Sequence, residues 1–313
     1  MKFAAVFPGQ GSQSVGMLAE LAAAHAVVGE TFAEAAEVLG YDLWALLQNG
    51  PEEQLKQTEY TQPAMFVSGV AVLRAWRAAG GPEPDLVAGH SLGEYTALVA
   101  AGVFPFREAC DLVATRGRLM ADAVPAGEGG MAAVLGMDDE ALDALCKSLS
   151  GARVVEAVNF NAPGQVVISG HVDALQQAVE AAKAAGAKRA MLLPVSVPNH
   201  SSLMAGVVAP LAEKIDATPA SEPGIPVVQN AEGKVYDGLA PMLAALRGHV
   251  AGPVYWTDTI NEMKARGVEL VIELGPGRVL TGLVKRIDRR LPSLCVEDSA
   301  SLEKSLAAAR GDA

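Results

Sequence analysis

A serine lies between two glycines in residues 89–93, whose sequence is Gly-His-Ser-Leu-Gly. Residues 84–88 before it favour a short buried strand, and residues 95–101 after it favour a helix. The two glycines permit a sharp strand-to-helix turn, which lifts the serine hydroxyl out of a sheet. The first N–H groups of the helix would then face the space in front of that hydroxyl. The segment predicts Ser91 as a covalent nucleophile, and an ordinary turn is the plainer alternative.

A serine nucleophile needs a base, and the chain has five histidines. His200 follows Pro194 and Pro198, which restrict the backbone to an extended path where two predicted domains meet. We therefore predict His200 as the base, with a helix-capping turn residue as the alternative. His90 adjoins the serine but would point elsewhere, so we expect it to shape the pocket. Since no carboxylate stands out as a third member, a backbone carbonyl is expected to orient the histidine.

Arg116 occupies an unusual position in the predicted helix 106–123. Apolar residues lie one turn before it and one turn after it, so its guanidinium falls on an apolar face. Arginine in such a setting needs a partner and prefers a bidentate carboxylate or phosphate. We predict a clamp for a substrate carboxylate, and a structural salt bridge is the alternative.

Residues 8–13, Pro-Gly-Gln-Gly-Ser-Gln, form a glycine-rich segment directly after the first predicted strand. The segment lacks the Gly-Lys-Ser/Thr and G-x-G-x-x-G patterns of nucleotide-binding loops. A loop at the carboxyl edge of a parallel sheet lies where ligands bind. It could bring the N–H of Gln10 opposite that of Leu92 and complete an oxyanion hole. An ordinary strand-to-helix turn is the alternative.

Strands and helices must alternate to position these residues. Over the first 123 residues, strands are predicted at 3–7 and 85–88 and helices at 31–38, 63–79, 91–101 and 106–123. The tail returns to this pattern, with strands at 226–229 and 270–273 and helices at 241–250, 256–266 and 279–287. Such alternation is typical of a parallel sheet that is covered on both faces.

Residues 125–195 follow a different order. Strands are predicted at 131–135, 154–159, 165–169 and 188–193, and helices at 138–148 and 172–185. This β-α-β-β-α-β order is ferredoxin-like, and residues 125–130 have the composition of a hinge. The predicted fold class is α/β. A large α/β-hydrolase-like parallel-sheet domain, residues 1–124 and 196–313, would carry an inserted ferredoxin-like subdomain, residues 125–195.

Composition limits the possible functions of the 313-residue chain. Half of the residues are hydrophobic and 19% are charged, which favours a globular protein with a sizeable core. The net charge of −12 argues against nucleic-acid binding. No apolar stretch approaches the roughly 18 residues of a membrane span, and the apolar start is too short for a secretory signal. The three cysteines, which lack metal or redox spacing, favour a cytoplasmic location: Cys110, Cys146 and Cys295.

Four motifs occur together and in a fixed order. They are Phe-Pro-Gly-Gln-Gly-Ser-Gln at 7–13, Gly-His-Ser-Leu-Gly-Glu-Tyr at 89–95, Asn-Phe-Asn-Ala-Pro-Gly-Gln at 159–165 and Glu-Leu-Gly-Pro-Gly at 273–277. With Arg116 and the Val-Pro-Asn-His of residues 197–200, the chain resembles the malonyl-CoA:acyl carrier protein transacylases. This family is related to the acyltransferase domains of polyketide synthases, and the resemblance covers essentially the whole chain.

The resemblance implies roles for single residues. Ser91 matches the nucleophile, His200 the base, and Arg116 the arginine that holds the malonyl carboxylate. The backbone N–H groups of Gln10 and Leu92 match the oxyanion hole.

Further substrate-binding positions are expected from the same resemblance. They are His90, Asn161, Gln62 in a second glutamine motif, and His249. The chain departs from the family at His249, where members often carry glutamine. In the family this residue orients the catalytic histidine through its main-chain carbonyl, so the change should be tolerated, and the resemblance implies a role for the carbonyl group rather than for the side chain.

The implied activity is ping-pong transfer of a malonyl group from malonyl-CoA to acyl carrier protein, for fatty-acid chain elongation. No metal or redox cofactor is implied. The expected partners are malonyl-CoA and acyl carrier protein, without nucleic acid or membrane, and the enzyme is expected to be a monomer. Alternatives are a freestanding acyltransferase of a polyketide pathway, a serine thioesterase, and a docking module without activity. Exposed cations near residues 188–189 and 285–290 are candidates for carrier-protein docking.

Overall fold

The computed structural model describes residues 1–125 and 127–312. The strands are β1 (Phe3–Phe7), β2 (Leu86–Gly89), β3 (Gly129–Leu135), β4 (Val155–Ala162), β5 (Gln165–His171), β6 (Arg189–Leu192), β7 (Val227–Gln229), β8 (Lys234–Val235), β9 (Leu270–Leu274) and β10 (Ser293–Val296). The helices are α1 (Ala19–Ala24), α2 (Ala26–Leu39), α3 (Leu43–Asn49), α4 (Glu52–Leu55), α5 (Thr58–Ala78), α6 (Gly93–Ala100), α7 (Phe106–Ala121), α8 (Asp139–Leu149), α9 (Val172–Ala184), α10 (Ala205–Ala217), α11 (Leu239–His249), α12 (Trp256–Ala265), α13 (Val279–Ile287) and α14 (Ser299–Arg310).

The large sheet has the strand order β10-β9-β1-β2-β7-β8, and all neighbouring strands are parallel except β7 and β8. Strand β1 is buried throughout because its sequence, Phe-Ala-Ala-Val-Phe, is entirely apolar. Its side chains alternate between the faces of the sheet, so Phe3 and Phe7 join one apolar cluster and Val6 joins another. Helices therefore cover both faces, and the carboxyl ends of β1 and β2 meet at the pair Phe7 and Gly89.

Helices α5 and α7 pack against each other on one face of the large sheet. The sequence alone begins α5 at residue 63, because proline is favoured in the first turn of a helix. In the structure the helix already begins at Thr58 and continues through Pro63. Gln62 consequently lies inside the helix and is fully buried.

A second, antiparallel sheet has the order β4-β5-β3-β6. Its elements follow one another in the predicted β-α-β-β-α-β order between α7 and α10. Helices α8 and α9 cover one face, where Leu142 and Leu175 pack on Val134 and Ile168. The predicted hinge at 125–130 includes Ala126, which lies outside the described residues.

Backbone hydrogen bonds connect the small sheet to the segment before α12, in addition to the covalent connections of the chain. Val254, just before α12, accepts a hydrogen bond from the N–H of Phe160 in β4 (2.9 Å) and donates one to Val158 (2.7 Å). The edge strand β4 of the small sheet is thereby hydrogen-bonded to the segment that leads into α12, a helix that contacts β7 and β8 of the large sheet. A membrane-spanning segment is not among the helices of the described part of the chain.

Candidate active site

Ser91 occupies a strained turn between β2 and α6. Its φ of 51° lies in the left-handed region, which costs a side-chain-bearing residue about 1–2 kcal/mol. The flanking glycines are required by contact: a Cβ on Gly93 would lie 2.1 Å from the carbonyl oxygen of Phe7, and one on Gly89 would lie 1.9 Å from backbone atoms of Gly93. The structure therefore has the sharp elbow that the sequence predicts.

His200 lies within hydrogen-bond distance of the serine. The Ser91 hydroxyl donates to its Nε2 at 2.6 Å. Its Nδ1 faces two carbonyl oxygens, of Gly252 at 2.9 Å and of His249 at 3.2 Å. Because carbonyl oxygens only accept, Nδ1 carries the proton and Nε2 is free to take one. The orienting groups are backbone carbonyls, as the sequence predicts.

Burial keeps the base neutral. The imidazole of His200 is 2% exposed, and burial, followed by the positive charge of Arg116, lowers its pKa to about 3. The carbonyl groups of His249 and Gly252 act in the opposite direction by binding the Nδ1 proton. His200 is therefore a neutral proton acceptor at neutral pH.

Arg116 is 1% exposed and has only neutral partners. Its Nη1 donates to Gln62 Oε1 at 2.6 Å, and its Nη2 lies 3.4 Å from Ser91 Oγ. The guanidinium carbon lies 5.4 Å from the centre of the Tyr95 ring. Among residues 1–125 and 127–312, no carboxylate oxygen lies within 4.0 Å of this guanidinium. The guanidinium thus forms no ion pair within this distance, although the charge of the buried Glu94 acts on it, and a buried cation beside the serine can bind an anion.

A cleft of about 500 Å³ opens in front of Ser91 and His200. Its large-sheet wall comprises Gln10, His90, Ser91, Leu280 and Leu283, and its small-sheet wall comprises Met131, Asn159, Asn161, Gln165 and Val167. Residues of the segment 193–200 also line the cleft. The side-chain oxygens of Asn159 and Gln165 are buried without a hydrogen-bond partner in the described structure.

The two backbone N–H groups predicted for an oxyanion hole belong to a residue that lines the cleft and to the residue after the serine. Gln10 lines the cleft in the turn after β1, and Leu92 precedes the first turn of α6. Neither N–H donates a hydrogen bond to any described residue. The side chains are occupied elsewhere, since Leu92 is buried and Gln10 Nε2 faces Thr58 Oγ1 at 3.5 Å.

The remaining predicted residues lie around this centre, although not all face the cleft. His90 Nε2 donates to Asn161 Oδ1 at 2.7 Å, which joins the two walls. Burial lowers the pKa of His90, so the ring is neutral. Gln62 contacts Arg116 rather than the cleft. The His249 ring lies behind His200, with ring centres 4.9 Å apart, and its pKa is well below the usual value because of burial.

Four polar residues of the site were not predicted: Asn159 and Gln165 in the cleft wall, and Asn230 and Glu94 behind the serine. Asn230, after β7, accepts a hydrogen bond from the Ser91 N–H at 2.9 Å, and its amide binds Glu94. Glu94 is a carboxylate in an apolar helix directly after the elbow, which was a usable signal. Asn230 offered none, because its partners are distant in sequence. Within the described ranges, no three His, Cys, Asp or Glu side chains are grouped to hold a metal ion.

A nucleophilic serine, a neutral histidine and open N–H donors at the edge of a parallel sheet are the components of acyl transfer. Residues 5–298 match the model of the acyl transferase domain family. The chain belongs to this family and is an acyltransferase.

Within the family, the chain is similar to the malonyl CoA-acyl carrier protein transacylase of Salmonella typhimurium, with 51% identity over 97% of this chain and 99% of the relative. A solved acyl carrier protein S-malonyltransferase of Vibrio cholerae has 52% identity and a TM-score of 0.94 over 97% of this chain and 100% of its own. A malonyl-transacylase solved in complex with its type II polyketide synthase acyl-carrier protein has 50% identity and a TM-score of 0.96, over 98% of this chain and 100% of its own.

Proposed function

We propose that this protein transfers a malonyl group from malonyl-CoA to the phosphopantetheine thiol of acyl carrier protein, through an ester on Ser91, for fatty-acid chain elongation. The observation that carries the proposal is the buried Arg116 guanidinium, 3.4 Å from Ser91 Oγ and without a carboxylate partner among the described residues. A malonyl group carries the carboxylate that this cation lacks. The names of the relatives point to the same reaction.

In the first half-reaction His200 Nε2 takes the Ser91 proton while Oγ attacks the thioester carbon. The N–H groups of Gln10 and Leu92 would stabilise the oxyanion, each contributing about 3 kcal/mol. The carbon–sulfur bond then breaks, and the CoA thiolate leaves with the proton from His200. The malonyl group remains on Ser91 as an ester.

In the second half-reaction the carrier-protein thiol gives its proton to His200 and attacks the ester. Collapse of the second tetrahedral intermediate breaks the carbon–oxygen bond, and Ser91 regains its proton. Arg116 holds the malonyl carboxylate through both steps, and Gln62 fixes the guanidinium by its bond at 2.6 Å. Since an acetyl group would leave the cation unpaired, the same contact gives selectivity.

The two walls have different tasks in this proposal. The side chains of Asn159 and Gln165, which line the cleft, would contact the polar groups of the phosphopantetheine arm. The His90–Asn161 bond would keep the small-sheet wall at its distance from the serine. His249 would contribute only its carbonyl group to the orientation of His200.

The direct test is incubation with radiolabelled malonyl-CoA in the absence of carrier protein. We expect stoichiometric label on Ser91, released as malonyl thioester when carrier protein is added. Label that is lost to water at the rate of turnover would instead support a thioesterase. Against that alternative, no carboxylate within the described residues lies within 4.0 Å of the His200 ring nitrogens, so a full Ser–His–acid triad is lacking.

A polyketide pathway is the second candidate, because one similar structure contains a type II polyketide synthase carrier protein. The test compares carrier proteins of the two kinds from the same organism. A kcat/KM at least tenfold higher for the fatty-acid carrier protein supports the first proposal, and the reverse order supports the second.

Carrier-protein docking is proposed at the exposed cations of α13 and the loop after it. Lys285 and Arg286 follow the part of α13 that lines the cleft, and Arg289 follows shortly after. An acidic partner would be attracted to them despite the net charge of −12. Charge reversal at Arg286 that leaves the carrier-protein KM unchanged would exclude this surface.

The finer description of the fold is also a proposal. The strand order β4-β5-β3-β6 and its antiparallel pairing support a ferredoxin-like subdomain of residues 125–195. The parallel strands and the elbow support an α/β-hydrolase-like domain of residues 1–124 and 196–313. Three further points stay predictions: a cytoplasmic location, a monomeric state and independence from cofactors. The unpaired thiols of Cys110 and Cys146 support the cytoplasmic location.

A further inference from the structure

A buried carboxylate lies behind the elbow and takes no part in the steps above. Glu94, in the first turn of α6, is 1% exposed. Its Oε1 accepts from Gln229 Nε2 at 2.8 Å, and its Oε2 accepts from the backbone N–H of Asn230 at 2.9 Å and from the Asn230 side chain. All of these partners are donors. Their arrangement suits an acceptor on both oxygens and is unsuited to a side-chain amide.

Asn230 transmits this anchoring to the nucleophile. Its Nδ2 donates to Glu94 and to the carbonyl oxygen of Gly89 at 2.6 Å, and its Oδ1 accepts from the Ser91 N–H at 2.9 Å. The side-chain amide thus bonds the backbone on both sides of the elbow. Its orientation is fixed, because Nδ2 faces two oxygens and Oδ1 faces an N–H group.

The strained backbone of Ser91 explains why such support is needed. A left-handed residue other than glycine persists only where the surroundings hold it, at a cost of about 1–3 kcal/mol. Without the hydrogen bond that its N–H donates to Asn230 Oδ1, the serine would be free to relax toward negative φ and carry Oγ away from His200 Nε2. Asn230 thus supports the backbone of Ser91, while His200 and Arg116 contact its Oγ.

The same carboxylate reaches the other half of the Ser–His pair. Glu94 Oε2 lies 3.9 Å from His249 Nδ1, and the carbonyl group of His249 accepts a hydrogen bond from the Nδ1–H group of His200. Burial raises the pKa of Glu94, while its hydrogen bonds and the charge of Arg116 act in the opposite direction. The buried carboxylate of Glu94 is thus close to the turn at Ser91, to the residue that orients His200, and to Arg116.

We propose that Glu94 is a positioning residue for acyl transfer, which acts through Asn230 to hold Ser91 in its reactive conformation. This inference rests on the proposed function only in that Ser91 is the nucleophile. Glu94 would have a supporting role like that of the acid in a Ser–His–acid triad. Unlike that acid, Glu94 acts on the backbone of the serine, through Asn230, and not on the histidine ring.

The test measures the rate at which a fluorophosphonate probe labels Ser91 in Glu94→Gln and Asn230→Ala. The probe needs an activated serine but no malonyl group, so the result stands apart from the choice of acyl donor. We expect labelling at least tenfold slower per active site in each variant. The double variant should be no more than about twofold slower than the slower single one, because both changes act on one path. The KM for malonyl-CoA should stay within threefold.

Glu273→Gln is the matched control. Glu273 is also fully buried and also accepts from backbone N–H groups at the start of a helix, those of Leu280 and Thr281. It contacts neither the elbow nor His200, so its variant should lose thermal stability at an unchanged labelling rate per active site.

Endpoint labelling counts the folded sites, and thermal unfolding measures the loss of stability. If Glu94→Gln and Asn230→Ala lower only these two quantities, as the control does, the network is merely structural and the proposal is overturned. If one variant fails to fold, the rate of the other decides in the same way. A wild-type protein that the probe labels but malonyl-CoA does not would refute the proposed function and leave this inference standing.

Discussion

The two walls of the cleft differ in how far their polar groups are already satisfied. On the large-sheet wall, Ser91 has partners for its hydroxyl and its backbone N–H, and the nearby Arg116 has Gln62. On the small-sheet wall, buried oxygens of Asn159 and Gln165 have none in the described structure. The difference teaches that the reacting side chains are held in place by protein contacts before substrate arrives, whereas those two side chains of the small-sheet wall are not held in this way.

The largest effect should come from removing the nucleophile. Ser91→Ala should lower kcat about 10⁴-fold or more, because no other hydroxyl replaces the attacking oxygen. Ser68→Ala is the matched control, since Ser68 is buried in α5 with no hydrogen-bond partner for its hydroxyl in the described structure. Malonyl transfer followed by mass spectrometry checks both, and transfer retained in Ser91→Ala would contradict the assignment.

The second-largest loss of activity is expected for Arg116→Ala. Loss of a buried, charge-assisted contact should lower kcat/KM for malonyl-CoA about 100- to 1000-fold, equal to about 3–4 kcal/mol. Acetyl transfer should rise relative to malonyl transfer. Arg118→Ala, on the same helix but exposed, should behave like wild type. Competition between the two acyl-CoA substrates gives the ratio, and an unchanged malonyl preference would remove the clamp from the mechanism.

The small-sheet wall should show a smaller and different effect. Gln165→Leu should raise the KM for malonyl-CoA about 3- to 10-fold, because one hydrogen bond to a neutral group contributes about 1 kcal/mol. The acylation rate at saturation should not change. A truncated malonyl thioester without the pantetheine amides should not distinguish the variant from wild type. A fall in kcat with both substrates would show that the two walls are not separate in function.

His249→Gln should have the smallest effect on activity, within about threefold, because the carbonyl group is retained. It should instead alter the dependence of stability on pH. Burial holds the folded-state pKa of His249 well below 6.5, so below that pH the unfolded chain binds a proton that the folded chain does not. Wild type therefore loses up to about 1.4 kcal/mol per pH unit from this group as pH falls, and glutamine removes that loss. Urea unfolding between pH 7.0 and 5.0 measures the slopes, and equal slopes would contradict the prediction.

Local patterns predict much of the large-sheet wall. The apolar β1, the glycines around Ser91 and the apolar neighbours of Arg116 each lie within a few residues of the feature they reveal. The order of strands and helices in the small sheet is likewise predicted, because its apolar segments are short and regularly spaced.

Other features depend on contacts between distant residues or on exceptions to local rules. The helix α10 contains Pro210, which argues against a helix interior, and β10 is a partly exposed edge strand with no clear alternation. The helix α14 is capped by Asp298 and Ser301, a pattern that the sequence interpretation did not use. Asn230 could not be assigned, because only the folded chain brings it to the elbow.

Three described residues other than glycine have positive φ: Leu18, Ser91 and His200. Two of these three residues are Ser91 and His200, so the backbone strain is concentrated at the proposed active site. At these two positions the conformation needed for activity lowers the free energy of unfolding, by about 1–3 kcal/mol each. Selection for thermal stability alone would favour variants in which these two residues adopt negative φ and activity is lost. Selection for catalytic turnover would oppose such variants.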